Sequence, residues 1–541
     1  MIYLYTLPGS AFNSPQANNC LINGYLRNNG LNIKHVDLSI KFLEKCLNSN
    51  YIKKNLKKLY DSLDKKERTL IDNIENTIST MKSKKINTPK IIKANDDFLN
   101  VLKIYGNHYN VTWTRRGLAF NFKINTVDDL LNIAYTNKLF DEILKKEKFK
   151  EIDIIYLSIQ YPFQIPYAIR FSKIIKDKCD NVKIIFGGDY ITHIIKNCRE
   201  LMTKCSYIDG IVFFSNHRNL LELINYYENN NNSKIFNTMI RIENKIIENK
   251  LVKNDFKDID KYIPYFDDLD LSKYLSNLKL LSINLNYGCY HSKCKFCSRN
   301  FYFSGYCKYN INKICELIKD EYKNNSIEAI YFIDECVPVD ILIKISKYLI
   351  ENKIKIIWMV ETRIEDNLLD KKIAELLYKS GCREISFGIE SYNKKILKDM
   401  DKRINLKTAK KVMKNFYDSG ISVSATFMIG YPTENMLNIL RTLHFIKKFK
   451  YIDTFGLGVF NYLRNSILVN ESKLNEEEDL NLMYRTSDDK VDYYSNLIER
   501  FNNCKKINKY ASIRRKIMYR AEYMYLDRSE YSLNFKNKEK R

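Results

Sequence analysis

Residues 288–297 read GCYHSKCKFC and place Cys289, Cys294 and Cys297 within nine residues, with Phe296 just before the last. Three thiolates on one short loop can hold three corners of a cubic iron–sulfur cluster, leaving the fourth iron open to a small molecule. A closed structural metal site would need a fourth ligand, which His291 or Cys307 could supply. Zinc sites more often use paired two-ligand knuckles, and this sequence has none.

Other polar residues stand at the ends of short apolar runs. Asp334 and Glu335 close YFIDE, and Glu390 and Ser391 close SFGIES. Carboxylates there can accept from a cation or from sugar hydroxyls. Asp334 and Glu335 can equally serve as a helix cap or first-turn acids. Arg363 in WMVETRIE has a fork that suits a carboxylate, from a ligand or from Glu361 or Glu365. Gly430 in FMIGYPTE lets backbone come close to a flat ligand. Glu434 in the same motif reads as a helix-start residue. Gly187 and Gly188 follow VKIIF, where open parallel sheets bind ligands or simply turn tightly.

The elements that must position these groups alternate between strand and helix. IYLYTL, a helix over Ala17–Asn29 stopping at Gly30, and a strand ending in HVDLS open the chain. Residues 42–145 break the alternation with helical spacing: Ile52, Leu56, Leu59, Tyr60 and Leu63 share one face, and Leu70, Ile71, Ile74 and Ile78 another. Strands resume at Asp153–Ile159, VKIIF and Ile208–Phe213, with a hairpin and linker over 234–275. From 280 a second series follows: LLSINLN, IEAIYFI, KIIWMV, REISFGI, ISVSATFM and IDTFGLGV, each pair separated by a helical pattern. The expectation is an α/β chain: a doubly wound Rossmann-like domain over 1–260 with a helical insertion at 42–145, a partial (β/α)6 TIM-type barrel over 275–460, and a helical segment over 461–541 with a frayed basic tail. Catalytic groups of such barrels gather at the carboxyl ends of strands, where the cysteine loop falls.

Composition narrows the function classes. Thirteen cysteines, an odd and scattered set, argue for a reducing compartment rather than a disulfide framework. No apolar run reaches the roughly 18 residues of a membrane span. The N-terminus lacks the marks of a secretory signal, so a cytoplasmic protein is expected. The net charge of +25 would suit a nucleic-acid partner, but the lysines are dispersed and a solvated surface explains them better.

The motifs GCYHSKCKFC, YFIDE, WMVETRIE, GCREISFGIES and FMIGYPTE, in that order and each at a strand end, resemble those of radical S-adenosylmethionine (SAM) enzymes with an N-terminal cobalamin-binding-like domain. The resemblance covers nearly all of residues 1–460, and weakly the insertion and the tail. The family's best-known cysteine spacing has a first gap of three residues. The gap of four here is similar to that of members with an attached cobalamin-type domain. The resemblance implies that Cys289, Cys294 and Cys297 hold a 4Fe-4S cluster, and that its open iron is chelated by the amino and carboxylate groups of SAM. Reductive cleavage then yields a 5′-deoxyadenosyl radical, with the electron from an external donor of flavodoxin or ferredoxin type.

It further implies that Phe296 lies against adenine, with core packing as the alternative. Asp334 and Glu335 would meet the methionine ammonium, Arg363 the carboxylate, Glu390 and Ser391 the ribose, and Gly430 the adenine. Gly187 and Gly188, with Tyr161 and Gln164 nearby, would lie at a corrin held without a protein imidazole, since no Asp-x-His-x-x-Gly segment is present. Against this, the turn FFSNHRN (213–219) lacks the family's glycine, and a degenerate domain kept for packing is the alternative.

Two enzymatic readings share the cluster. One is cobalamin-dependent methyl transfer to a carbon of a small molecule or peptide. The other is epimerisation, cyclisation or rearrangement without methyl transfer. Methylthiolation would call for a second cysteine trio near the N-terminus, which is not there. A nucleic-acid-binding protein with a structural metal is the distant alternative, supported by charge alone.

Overall fold

The structure, a computed structural model, describes residues 1–503 except residue 11 and segments 83–87, 115–116, 122–123, 151–152, 215–216, 230–234, 253–257, 277, 300–304, 473–479, 481–482 and 485–487. The basic tail expected to fray lies outside the described residues. Two compact units emerge, one built on Met1–Asp255 and Pro264–Asn277, the other on Phe256–Ile263 and Leu278–Asn475 with the described part of Leu482–Arg541.

In the first unit β1 (Ile2–Thr6), β2 (Ile33–Asp37), β5 (Ile154–Ser158), β6 (Lys183–Gly187) and β7 (Gly210–Val212) are parallel, in the order β2-β1-β5-β6-β7. These runs are apolar almost without alternation because helices cover both faces, and all five residues of β5 are buried. The order places a topological switch point between β1 and β5, where open α/β sheets bind ligands. A hairpin, β8 (Thr238–Ile242) and β9 (Lys245–Glu248), extends the β7 edge antiparallel, so the expected hairpin joins the main sheet. Its outer strand carries Lys245 and Glu248, charges that discourage further edge pairing.

The inserted region is mostly helical, but it also contains a hairpin, β3 (Val111–Thr114) and β4 (Gly117–Phe120). Its residues are β-branched, aromatic or apolar, and Trp113 is buried against Phe42 with ring centroids 5.4 Å apart. The face written as Leu70 to Ile78 is two helices, Lys65–Asp72 and Ile74–Lys82, broken at Asn73.

The second unit's main sheet has six parallel strands among the described residues, in chain order: β10 (Leu280–Ile283), β13 (Ala329–Phe332), β14 (Ile357–Thr362), β15 (Cys382–Glu390), β16 (Ser422–Ile429) and β17 (Thr454–Val459). A short antiparallel pair, β11 (Asn286–Tyr287) and β12 (Cys307–Lys308), flanks the cysteine loop. The helices between strands bury one face each, and most start on side-chain caps, the helix Val339–Glu351 starting after Pro338 instead. Asn310, Asp370, Asn405 and Asn435 each accept a backbone N–H of the first turn. Strict strand–helix alternation in chain order puts every carboxyl strand end on one rim, the partial-barrel arrangement expected.

Candidate active site

The cysteine loop begins where β10 and β11 end. Gly288 takes φ +74°, a left-handed turn that glycine adopts at little cost. The three thiols are partly buried on the rim. Cys297 N–H donates to the Cys294 carbonyl at 3.1 Å, and the Ser292 hydroxyl donates to the Cys289 carbonyl. Cys336, one residue past Glu335, hydrogen-bonds Cys289 and holds its pKa down to about 6. Burial pushes Cys297 up to about 11 and raises Cys294, against the pull of Lys402 and Arg363.

The loop is fastened to a turn 110 residues away in sequence. The carbonyls of Met400, Asp401 and Lys402 each accept one bond. Lys295 N–H reaches Met400 at 3.0 Å, His291 Nε2 reaches Asp401 at 2.9 Å, and the Arg363 guanidinium reaches Lys402 at 2.7 Å. Asp401 and Arg403, on either side of Lys402, have φ of +50° and +53°. Such values are uncommon outside glycine and mark a turn held by its contacts.

The residues singled out in sequence separate into two groups. Asp334 is spent locally. Its carboxylate accepts from Leu285 N–H at 2.9 Å and Asn286 N–H at 2.8 Å, and burial raises it to about 7. It ties the end of β13 to the entry of the cysteine loop. Glu335 pairs with Arg299 at 2.7 Å on the rim. Phe296 packs on the apolar cluster of Ile396, Met400, Tyr431 and Phe460. Arg363, Glu390 and Ser391 are buried together at the rim ends of β14 and β15.

Glu390 has φ +65° at a register slip in β15, and its carboxylate accepts from Lys402 Nζ at 2.8 Å. Burial works against the charge on Lys402, yet the Glu390 carboxylate beside it holds the lysine's pKa above the ordinary value. Gly430, φ +86°, has Tyr494 of the helix Asp488–Asn503 where a Cβ would sit, 2.8 Å away. Glu434 is not the cap of the next helix; Asn435 is. The Glu434 carboxylate instead turns back and accepts from Gly430 N–H at 2.8 Å, and burial raises it to about 7.

Among the described residues no three His, Cys, Asp or Glu side chains converge on one point as a mononuclear site would require. A cubic cluster instead takes one thiolate per iron. Three thiols, with the buried cations Arg363 and Lys402 in electrostatic reach of Cys294 and Arg363 in reach of Cys289, therefore suit an anionic cluster.

The carboxyl edge of the first unit differs. A Cβ on Gly187 would lie 2.5 Å from the Tyr156 hydroxyl, and one on Gly188 (φ +107°) 2.3 Å from the Ile159 carbonyl. Both glycines are required by the chain's own packing. Gln164 accepts from Gln160 and Tyr161 N–H at 2.7 and 3.1 Å and donates to Ser10 Oγ at 3.0 Å, so it is a staple of its own loop. Tyr161 remains 43% exposed at the switch point, stacked on Phe163. In the turn after β7, Phe214 takes the left-handed position (φ +65°) that a glycine would fill.

Comparison with known proteins bears on the second unit first. Residues 283–446 match the Radical SAM superfamily. This segment is a radical SAM domain. An uncharacterized methyltransferase of Pyrococcus horikoshii is 24% identical over 286 residues, covering 52% of this chain and 61% of that protein. The anaerobic magnesium-protoporphyrin IX monomethyl ester cyclase of Rubrivivax gelatinosus is 24% identical over 329 residues, covering 59% of this chain and 58% of the cyclase. The chain thus spans about three fifths of the length of each relative.

Among solved structures, the cobalamin-dependent SAM radical enzyme OxsB with aqua-cobalamin and SAM bound superposes with TM-score 0.54 at 14% identity, over 88% of this chain and 60% of OxsB. The radical SAM methyltransferase TsrM of Kitasatospora setae, with cobalamin and a [4Fe-4S] cluster, gives TM-score 0.52 at 11% identity, over 87% of this chain and 77% of TsrM. Both likenesses extend across the two units and establish the fold.

The radical SAM domain starts on the last residue of β10 and ends inside the helix Met436–Lys448. Its superfamily implies a 4Fe-4S cluster and SAM. Within it, sequence reading missed Lys402 and Cys336. Cys336 stood two residues past Asp334 in the motif already marked, so proximity was the available signal. Lys402 had none, because its role depends on a turn between two left-handed residues that are neither glycine nor asparagine. No helix among the described residues is long and apolar enough to cross a membrane.

Proposed function

We propose that this chain is a cobalamin-dependent radical SAM enzyme that methylates a carbon centre of a small molecule or peptide. It would work in the cytoplasm with an external one-electron donor of flavodoxin or ferredoxin class. The observation that carries the reading is the three-cysteine loop on the strand-end rim, fastened to the carbonyls of Met400 and Asp401 and faced by buried Arg363 and Lys402. In this reading Cys289, Cys294 and Cys297 hold a 4Fe-4S cluster. Arg363 offers its guanidinium to the SAM carboxylate. Glu390 accepts from the ribose hydroxyls and Ser391 lies beside it. Phe296 and the Gly430 turn flank the adenine, and Glu335 stays on the rim near the methionine end. Asp334 shapes the loop rather than touching ligand.

When bound, the cluster and SAM supply radical chemistry and cobalamin supplies the methyl group. The protein's own part is to bind, orient and exclude water. Cobalamin would lie at the carboxyl edge of the first unit, where Tyr161 is an exposed aromatic. The methyltransferase of Pyrococcus horikoshii among the relatives and the fold shared with OxsB and TsrM support this.

The packing of Gly187 and Gly188 against their own chain favours a second reading, a radical enzyme whose first unit holds no corrin. Anaerobic reconstitution with iron, sulfide and hydroxocobalamin separates the two. The proposal expects about one cobalt per chain together with SAM cleavage. Cleavage by cobalt-free protein favours the second reading, and absence of iron–sulfur absorption removes both.

A further inference from the structure

Resting on the radical SAM reading, we propose that Lys402 is a positioning residue for SAM, acting through Glu390. Three local irregularities converge on this pair. β15 slips register between Gly388 and Glu390, Glu390 takes a left-handed backbone, and Lys402 sits between two more left-handed residues. Gly388 completes the set. A Cβ there would lie 2.6 Å from Glu390 Oε1 and 2.9 Å from Lys402 Nζ, so this position must be glycine for the pair to lie against the strand. Residues held in such backbone states need a surrounding structure that over-determines them.

Both members are 8% exposed. A buried carboxylate without a partner is costly, and the ammonium at 2.8 Å removes that cost. The pair also fixes direction. One Glu390 oxygen, Oε1, is taken by Lys402, which sets the plane of the carboxylate and so the direction open to two vicinal hydroxyls. Lys402 is itself immobilised from two sides: its carbonyl accepts from Arg363, and its ammonium lies 5.9 Å from the centroid of Phe296. Glu390, Arg363 and Phe296, the groups assigned to ribose, carboxylate and adenine, therefore share one lysine. That lysine also lies in the turn that anchors the cysteine loop.

The test is a double-mutant cycle on anaerobically reconstituted full-length protein, with SAM affinity by calorimetry and the electron paramagnetic resonance spectrum of the reduced cluster with and without SAM. Lys402→Met is expected to keep its iron content, weaken SAM by about tenfold and blunt the SAM-induced spectral change. In a Glu390→Gln background the same substitution is expected to change affinity less than about twofold, because its effect passes through the missing carboxylate. Unchanged affinity in Lys402→Met, or losses that multiply in the double variant, overturn the inference.

Wild-type protein that holds a cluster but shows no response to SAM overturns the underlying reading as well, which distinguishes the two failures. Should Lys402→Met give no soluble protein, Lys402→Arg keeps the charge on a wider fork. The proposal then requires weakened SAM binding at unchanged iron content, and wild-type affinity overturns it.

Discussion

The two carboxyl strand edges share a parallel-sheet origin but dispose of their polar groups in opposite ways. At the edge of the first unit, the groups satisfy one another. Gln164 is consumed by its own loop, and Gly187 and Gly188 press against Tyr156 and Ile159. At the rim of the second unit, charge is buried and concentrated. Arg363 and Glu390 are buried at strand ends, Lys402 is buried against Glu390 from the turn beyond β15, and Glu434 follows β16 half-buried. A glycine at a strand end therefore says little about a ligand until its neighbours are known. Buried charge with valency to spare says more, since burying it without use is costly.

The contrast can be broken at either edge. The largest effect is expected at the second. Cys294→Ala should remove iron–sulfur absorption and SAM cleavage together while the chain stays folded, and a brown, active variant would refute the ligand assignment. At the first edge, Gly188→Ala should destabilise the unit by about 2 kcal/mol or more, from the left-handed backbone and the clash with the Ile159 carbonyl. A chemical-denaturation midpoint equal to wild type would show that the edge is open rather than self-filled.

A smaller effect sharpens the electrostatic side. Burial raises Glu434 from the usual carboxyl range to about 7, so the native state holds its proton more tightly than the unfolded chain. Its contribution to stability is complete below the unfolded pKa and disappears as pH rises through about 7. Cluster-free protein should lose melting temperature between pH 5 and 7, and Glu434→Gln should flatten that slope; an unchanged slope would place the charge elsewhere. The smallest effect belongs to the rim pair of Glu335 and Arg299, each more than a third exposed. Glu335→Gln should alter stability by about 0.5 kcal/mol or less, and a thermal shift beyond that would make the pair more than surface charge.

Much of this architecture is legible in the sequence, for a physical reason. Parallel strands covered on both faces must be runs such as IIYLS and AIYF, and the helices between them carry a single apolar face. All six barrel strands, and the cysteine loop after the first, follow from that pattern. The hairpin Val111–Phe120 escaped because it is short and lies inside a helical stretch. Asp334 was readable as chemically apt but not as occupied, since its partners are backbone N–H groups, which carry no sequence signal. Glu434 misled for the opposite reason. Its neighbour Asn435 takes the cap, and that leaves the carboxylate to bend back on Gly430.

The clasp between the cysteine loop and the carbonyls of Met400 and Asp401 has a consequence for biogenesis. As the chain leaves the ribosome, the three thiols emerge long before the carbonyls that hold their loop, which stand 110 residues later for His291 and Asp401. Metal loading onto a properly shaped loop must wait until the fourth barrel strand and the turn beyond it have been made. A nascent chain halted short of Met400 would offer its thiols to any passing metal on a slack tether.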